Sequence, residues 1–132
     1  MFDTVVRLAD RLAGLVDTLD PERVTGAHAR ELWAGFDRVE RLGAAGKILL
    51  ARRLGDVHQA DRVGVKTAAE QLARLGGTTT GVARDALETS RRLADLPGVQ
   101  AAVRRGDLSA TQAALVSAAA AADPGAEQRL LD

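Results

Sequence analysis

Between residues 67 and 125 the chain is punctuated so heavily by helix starts and stops that only a series of short helices fits it. Thr67-Ala-Ala-Glu70 reads as a capping box, in which the Thr hydroxyl and the Glu carboxylate each take up a backbone N–H that the first helical turn leaves unpaired. Gly76-Gly77 ends the helix that follows, over about 68–75, because glycine tolerates the left-handed conformation needed just past a helix end. Thr79 caps the next helix, whose predicted buried face is Val82, Ala83, Ala86, Leu87, Ser90, Leu93 and Ala94. Leu96-Pro97 breaks that helix and starts another, since proline lacks only an N–H that the first helical position does not use. Gly106 closes it. Ser109-Ala-Thr-Gln112 is a second capping box, opening a helix with Ala113, Leu115, Val116 and the run Ala118 to Ala122, which ends at Asp123-Pro124-Gly125.

Upstream the signal is periodicity. Val5, Leu8, Leu12, Leu15, Val16 and Leu19 recur every three or four residues, predicting a helix over 3–19 that stops at Asp20-Pro21. A long second helix begins near Thr25 and runs to about Asp56 or beyond, with Leu32, Trp33, Phe36, Val39, Leu42, Ile48, Leu49 and Leu54 as its predicted buried stripe. Gly43 and Gly46 lie inside it, which predicts a kink or a close helix crossing there. Asp61 to Gly64 reads as a connection.

The alphabet agrees with this punctuation: 26 Ala and 18 Leu against three aromatic residues, with no stretch that alternates as a half-buried strand would. The fold class expected is therefore all-α, a compact bundle of six to seven helices with a long second helix and a helix-turn-helix-like hairpin. A length of 132 residues fits a single helical domain, organised as N-terminal helices (1–60), the hairpin (67–94) and C-terminal helices (97–122). The closing AEQRLLD reads as the opening turns of a further helix, so the chain reads as a fragment of something longer.

With no cysteine, the chain excludes disulfides, thiolate metal sites and cysteine nucleophiles. His28 and His58 stand about thirty residues apart and outside any metal-ligand spacing, so both read as surface histidines. Ser90, Ser109 and Ser117 lack a strand–turn–helix elbow, and caps or packing account for them. The glycines from 76 to 81 lack a phosphate-loop pattern, and Asp85 with Glu88 reads as a solvated helix face. Neither a catalytic residue nor a cofactor or metal is expected. No apolar run reaches membrane-span length, so no membrane partner is expected, and the start MFDTVVRLAD is unlike a signal peptide, making a cytoplasmic protein the default.

Eighteen basic and eighteen acidic residues cancel, but residues 66–106 hold seven basic against four acidic. Within that basic stretch the hairpin has the order of a helix-turn-helix, whose second helix offers its N-terminal residues to a DNA major groove. The candidate DNA-binding residues follow. Arg84 is one turn into the helix, placed for guanine or for a phosphate, and Thr79 and Thr80 for backbone oxygens. Arg91, Arg92, Lys66, Arg74, Arg104 and Arg105 would supply nonspecific attraction. Asp85 and Glu88 on the same face oppose it, and a plain helical hairpin in a packed bundle is the competing reading.

Residues 67–119, TAAEQLARLGGTTTGVARDALETSRRLADLPGVQAAVRRGDLSATQAALVSAA, resemble the core of the bacterial 13E12-repeat family, domain of unknown function 222. Ala83, Leu93, Leu96, Pro97, Ala102, Gly106, Leu108, Ser109 and Ala113 stand at matching places, and the helices over 4–56 fit the family's weaker N-terminal portion. Thr78 departs from the pattern, where the position is often apolar, which would loosen the hairpin's anchoring. Members often carry an HNH-type endonuclease domain C-terminal to this region, and none of that nuclease's His, Asn and Cys motifs occurs here. The resemblance therefore implies a non-catalytic accessory domain that binds or positions DNA, or that regulates and dimerises the enzyme. The G-x-LS helix also looks like a segment of partition-type DNA-binding proteins. The alternative is a helical protein-interaction module, with a homodimer formed through the long helix and no direct DNA contact.

Overall fold

The computed structural model describes residues 1–61 and 67–132. The described residues are all-α, with no strand. Seven helices follow one another: α1 (Phe2–Asp17), α2 (Gly26–Asp61), α3 (Ala68–Gly76), α4 (Thr80–Leu93), α5 (Pro97–Arg104), α6 (Ala110–Ala122) and α7 (Glu127–Leu131). Lys66 and residues 62–64 of the expected connection lie outside the described residues, whereas Asp61 is the last residue of α2.

The chain divides into two compact units, residues 1–35 and 36–132. The first holds α1, a 3-10 turn over Pro21–Arg23 and the opening turns of α2. Asp20 starts the 3-10 turn, its Oδ1 accepting from the Glu22 N–H at 3.1 Å. None of the sixteen residues of α1 is buried, although its apolar positions recur at helical spacing.

The second unit holds the core. Ala45 and Ile48 from α2, Leu93 and Leu96, Val99 and Val103 from α5, and Ala113 and Ala120 from α6 form one buried cluster. The long helix is present, but its expected stripe is corrected. Of the eight residues proposed, Ile48 alone is buried, Phe36 and Leu49 are half-buried, and Leu32, Trp33, Val39, Leu42 and Leu54 are exposed. The face that is buried is Ala45, Ile48, Ala51 and Gly55, mostly small residues that let neighbouring helices approach closely. The close crossing lies at Gly55, where a Cβ would come 3.1 Å from Leu87 Cδ1, and not at Gly43 or Gly46, where a Cβ would meet nothing within 4 Å.

Local chemistry sets the remaining boundaries. Thr67, Thr79 and Ser109 each accept a backbone N–H three residues on, and at Ser109 the Gln112 side chain completes the capping box. Gly77 (φ +61°) ends α3 and Gly106 (φ +74°) ends the α5 turn, both in the left-handed region. One cap comes from far along the chain: Glu127 Oε1 accepts from the Val99 N–H at 2.9 Å, closing the start of α5 from α7. Gly98 makes room for it, since a Cβ there would stand 2.8 Å from that oxygen.

Candidate nucleic-acid interface

The hairpin is built as its spacing implies, with α3, the turn Gly77–Thr79 and then α4. The turn closes as the Thr78 N–H donates to Ala73 O at 3.0 Å and the Gly77 N–H to Arg74 O at 3.4 Å. Both bonds use backbone atoms, so the exposed Thr78 side chain is not what holds the turn. On α4 the buried residues are Ala83, Leu87, Thr89, Ser90 and Leu93. Of the face expected from periodicity, Val82 and Ala94 are instead exposed and Ala86 is half-buried. Ser90 Oγ accepts from the Arg52 backbone N–H of α2 at 3.1 Å, which gives its hydroxyl a structural role.

The exposed arc of α4 carries the candidate residues. Arg84 and Arg91 are exposed, and neither forms a hydrogen bond or ion pair with another described residue. They are seven residues apart, hence nearly aligned on one side of the helix and roughly 10 Å apart along it. Asp85 shares the exposed arc and also lines a shallow depression with Thr111 and Leu115 of α6. Thr79 is the N-cap, its Oγ1 accepting from the Val82 N–H at 3.2 Å, so its oxygen is engaged while its hydroxyl proton remains available. Thr80 is half-buried at the first turn.

The other cations are less available. Arg92 lies 3.6 Å from Glu88 one turn back, so that carboxylate is partly offset within the helix. Arg105 Nε donates to Asp107 Oδ2 at 2.9 Å, and Arg104 Nε to Gln100 Oε1 at 3.2 Å. Both belong to the α5 end, apart from the hairpin in sequence. Arg74 is exposed in the last turn of α3, where a cation also suits the helix dipole.

Sequence reasoning missed Arg41 and Lys47. Arg41 Nη1 donates to Asp107 O at 3.0 Å, tying α2 to the loop before α6, while its Nε lies 2.9 Å from Asp37 Oδ2 without the alignment of a hydrogen bond. Lys47 Nζ reaches the end of α3, 3.5 Å from where a Gly76 Cβ would be. Their signal, an isolated cation facing a remote loop or helix end, has no fixed spacing in sequence. His28 is exposed, whereas His58 is half-buried in a depression with Leu54 and Leu75, a correction to its reading as a surface residue. Among the described residues no group of three His, Cys, Asp or Glu side chains is placed to hold a metal, and no helix is long and apolar enough to cross a membrane.

Comparison with protein-family models, curated proteins and solved structures finds no match.

Proposed function

We propose that the chain is a non-catalytic, DNA-contacting accessory domain of an HNH endonuclease-type protein, with α4 of the helix-turn-helix-like hairpin as its contact face. The observation that carries this reading is the pair Arg84 and Arg91, exposed, without a partner among the described residues and nearly aligned on a helix whose other side is buried. A guanidinium with no internal partner loses nothing in the protein when it binds a phosphate or a guanine edge. Arg74 adds a third exposed cation on α3, and the carboxylate of Glu88 is partly offset by Arg92, 3.6 Å away. A cytoplasmic location and the family resemblance belong to the same proposal.

The test is fluorescence anisotropy with random and enriched duplexes at several salt concentrations. Arg84→Ala is expected to weaken binding and, if it reads a base, to cost about 1–3 kcal/mol and relax sequence preference. Arg91→Ala weakens all sequences alike and lowers the salt slope by about one unit. Arg92→Ala has the smaller effect because its charge is already partly spent on Glu88. Binding absent at low salt, or indifferent to all three changes in folded protein, refutes the reading.

A second reading is a protein-interaction or dimerisation module built on the long helix. Trp33 on α2 favours it, being 79% exposed, as do the exposed Val39 and Leu42. Trp is the side chain most enriched among interface residues that dominate binding energy.

A further inference from the structure

We infer that helix α2 pairs antiparallel with α2 of a second copy of this chain, the two crossing at Gly43 and Gly46. This rests on the second reading above, the long helix as an association surface, and adds the partner, the direction and the register.

The side of α2 turned away from the core carries a stripe at alternating three- and four-residue spacing. Phe36, Val39, Gly43, Gly46 and Leu50, with Arg53 at its end, follow the seven-residue repeat of a helix–helix seam and span about 100° of the helix circumference. All are exposed except the half-buried Phe36. The buried Ala45, Ile48, Ala51 and Gly55 lie on the other side of the helix, so packing within one chain does not account for the stripe.

The two glycines at its centre need a reason, because glycine inside a helix is less stable than alanine. At both a Cβ would meet nothing within 4 Å, so nothing in the single chain requires them to be small. Bare backbone between large apolar side chains lets a second helix approach closely.

The layout of the stripe names a second copy as that helix. Seating Gly43 of each copy against Gly46 of the other, about a two-fold axis, puts Val39 against Leu50 in the next layers and Phe36 against Arg53 beyond them. Small residues thus meet small ones, aliphatic meets aliphatic, and each guanidinium meets an aromatic ring.

Charge fixes the direction. Glu40 and Lys47 border the stripe on the same edge, both exposed and without a hydrogen-bond or ion-pair partner among the described residues. Seven residues apart, roughly 10 Å along the axis, they do not reach each other on one helix. An antiparallel pair brings like edges together, and in this register Glu40 of each copy stands within roughly 3 Å of rise of Lys47 of the other. Two ion pairs form on that edge, while on the opposite edge the exposed Leu42 meets the half-buried Leu49. A parallel pair joins unlike edges instead, setting Lys47 against Leu42 of the second copy and leaving Glu40 without a cation.

The inference is independent of DNA contact and is tested on the full chain by sedimentation over a range of concentrations, with circular dichroism as the folding control. The wild type is expected to be a dimer. Gly46→Leu is expected to give a monomer with undiminished helical signal, because the new side chain enters open space in the single chain and blocks the crossing in the pair. Glu40→Lys or Lys47→Glu raises the dimer dissociation constant by about tenfold, and the variant carrying both changes regains the wild-type value. Leu115→Glu, on the exposed side of α6, leaves it unchanged. The chain has no cysteine, so Val39→Cys and Leu50→Cys report direction directly. Oxidation of their equimolar mixture is expected to join position 39 to position 50, with each variant alone remaining unlinked. Linkage of 39 to 39 or of 50 to 50, or a double charge variant that stays weak, overturns the antiparallel register and leaves association through the long helix standing. A monomeric wild type, or a dimer that survives Gly46→Leu and links through neither position, overturns both the inference and dimerisation through the long helix.

Discussion

Replacing Glu127 by Ala removes the cap that α7 supplies to the start of α5. Helix α5 begins at Pro97 after Leu96, which offers no side-chain cap, so the Val99 N–H depends on Glu127 Oε1 at 2.9 Å. Val99 is fully buried, and water has little access to the donor once the carboxylate is gone. An unsatisfied buried donor costs about 1–3 kcal/mol, and the loss of a negative charge from a helix N-terminus adds about 0.3–1 kcal/mol. A loss of about 2 kcal/mol is expected, equivalent to roughly 6–10 °C in Tm for a domain of this size. Glu127→Gln keeps an acceptor and should cost less than half as much. Gly98→Ala attacks the same bond from the other side, since its Cβ would stand 2.8 Å from Oε1 and 3.2 Å from Leu131 Cδ1. The carboxylate end is flexible and will move aside, breaking the bond to Val99. Thermal and urea denaturation followed by circular dichroism on both single variants and the double variant measure the coupling. The double variant should be more stable than the sum of the single losses predicts, by at least about 0.5 kcal/mol. Strict additivity, or an unchanged midpoint in Glu127→Ala, would refute the long-range cap.

Other outcomes follow from the same geometry. Ser109→Ala should lower stability by about 1 kcal/mol in urea denaturation, because it removes the acceptor for the Gln112 N–H at 3.1 Å. Gly106→Ala is expected to cost at least about 1–2 kcal/mol in the same assay, since φ is +74° and the new Cβ would lie 3.1 Å from Leu42 Cδ2. Purified chain incubated with plasmid and Mg²⁺, Mn²⁺ or Zn²⁺ should leave the DNA uncut; cleavage that persists through repurification and disappears on His58→Ala would contradict a non-catalytic domain.

The helix boundaries from residue 67 onward were legible because their causes are local. A Thr or Ser oxygen reaches an N–H three residues away, and a glycine supplies a left-handed residue, whatever the rest of the chain does. The buried face of α2 was not legible for the opposite reason. Periodicity weighs large apolar residues, and of the eight it selects on α2 five, Leu32, Trp33, Val39, Leu42 and Leu54, are exposed. The neighbours of α2 instead contact Ala45, Ile48, Ala51 and Gly55, and only their identity decides which stripe is covered. Glycine shows the same dependence. Gly43, Gly46 and Gly55 look alike in sequence, yet only Gly55 has a leucine from α4 where its Cβ would be.

The candidate site divides along the same line. The pairing of Arg92 with Glu88 is an i, i+4 relation readable in the sequence, and it leaves Arg84 and Arg91 as the cations of α4 without partners among the described residues. The bond between Ser90 and Arg52 spans 38 residues and has no such signature. It matters for the proposed contact face, because α4 can present two arginines only if its opposite side is held. That side combines small residues, one leucine at Gly55 and a hydroxyl satisfying an α2 backbone donor. Loosening it would move both arginines together. A substitution such as Ser90→Ala, far from any phosphate, should therefore weaken DNA binding without changing its salt slope, since the count of contacts remains while their placement is degraded. A lowered slope would mean instead that Ser90→Ala removes a phosphate contact.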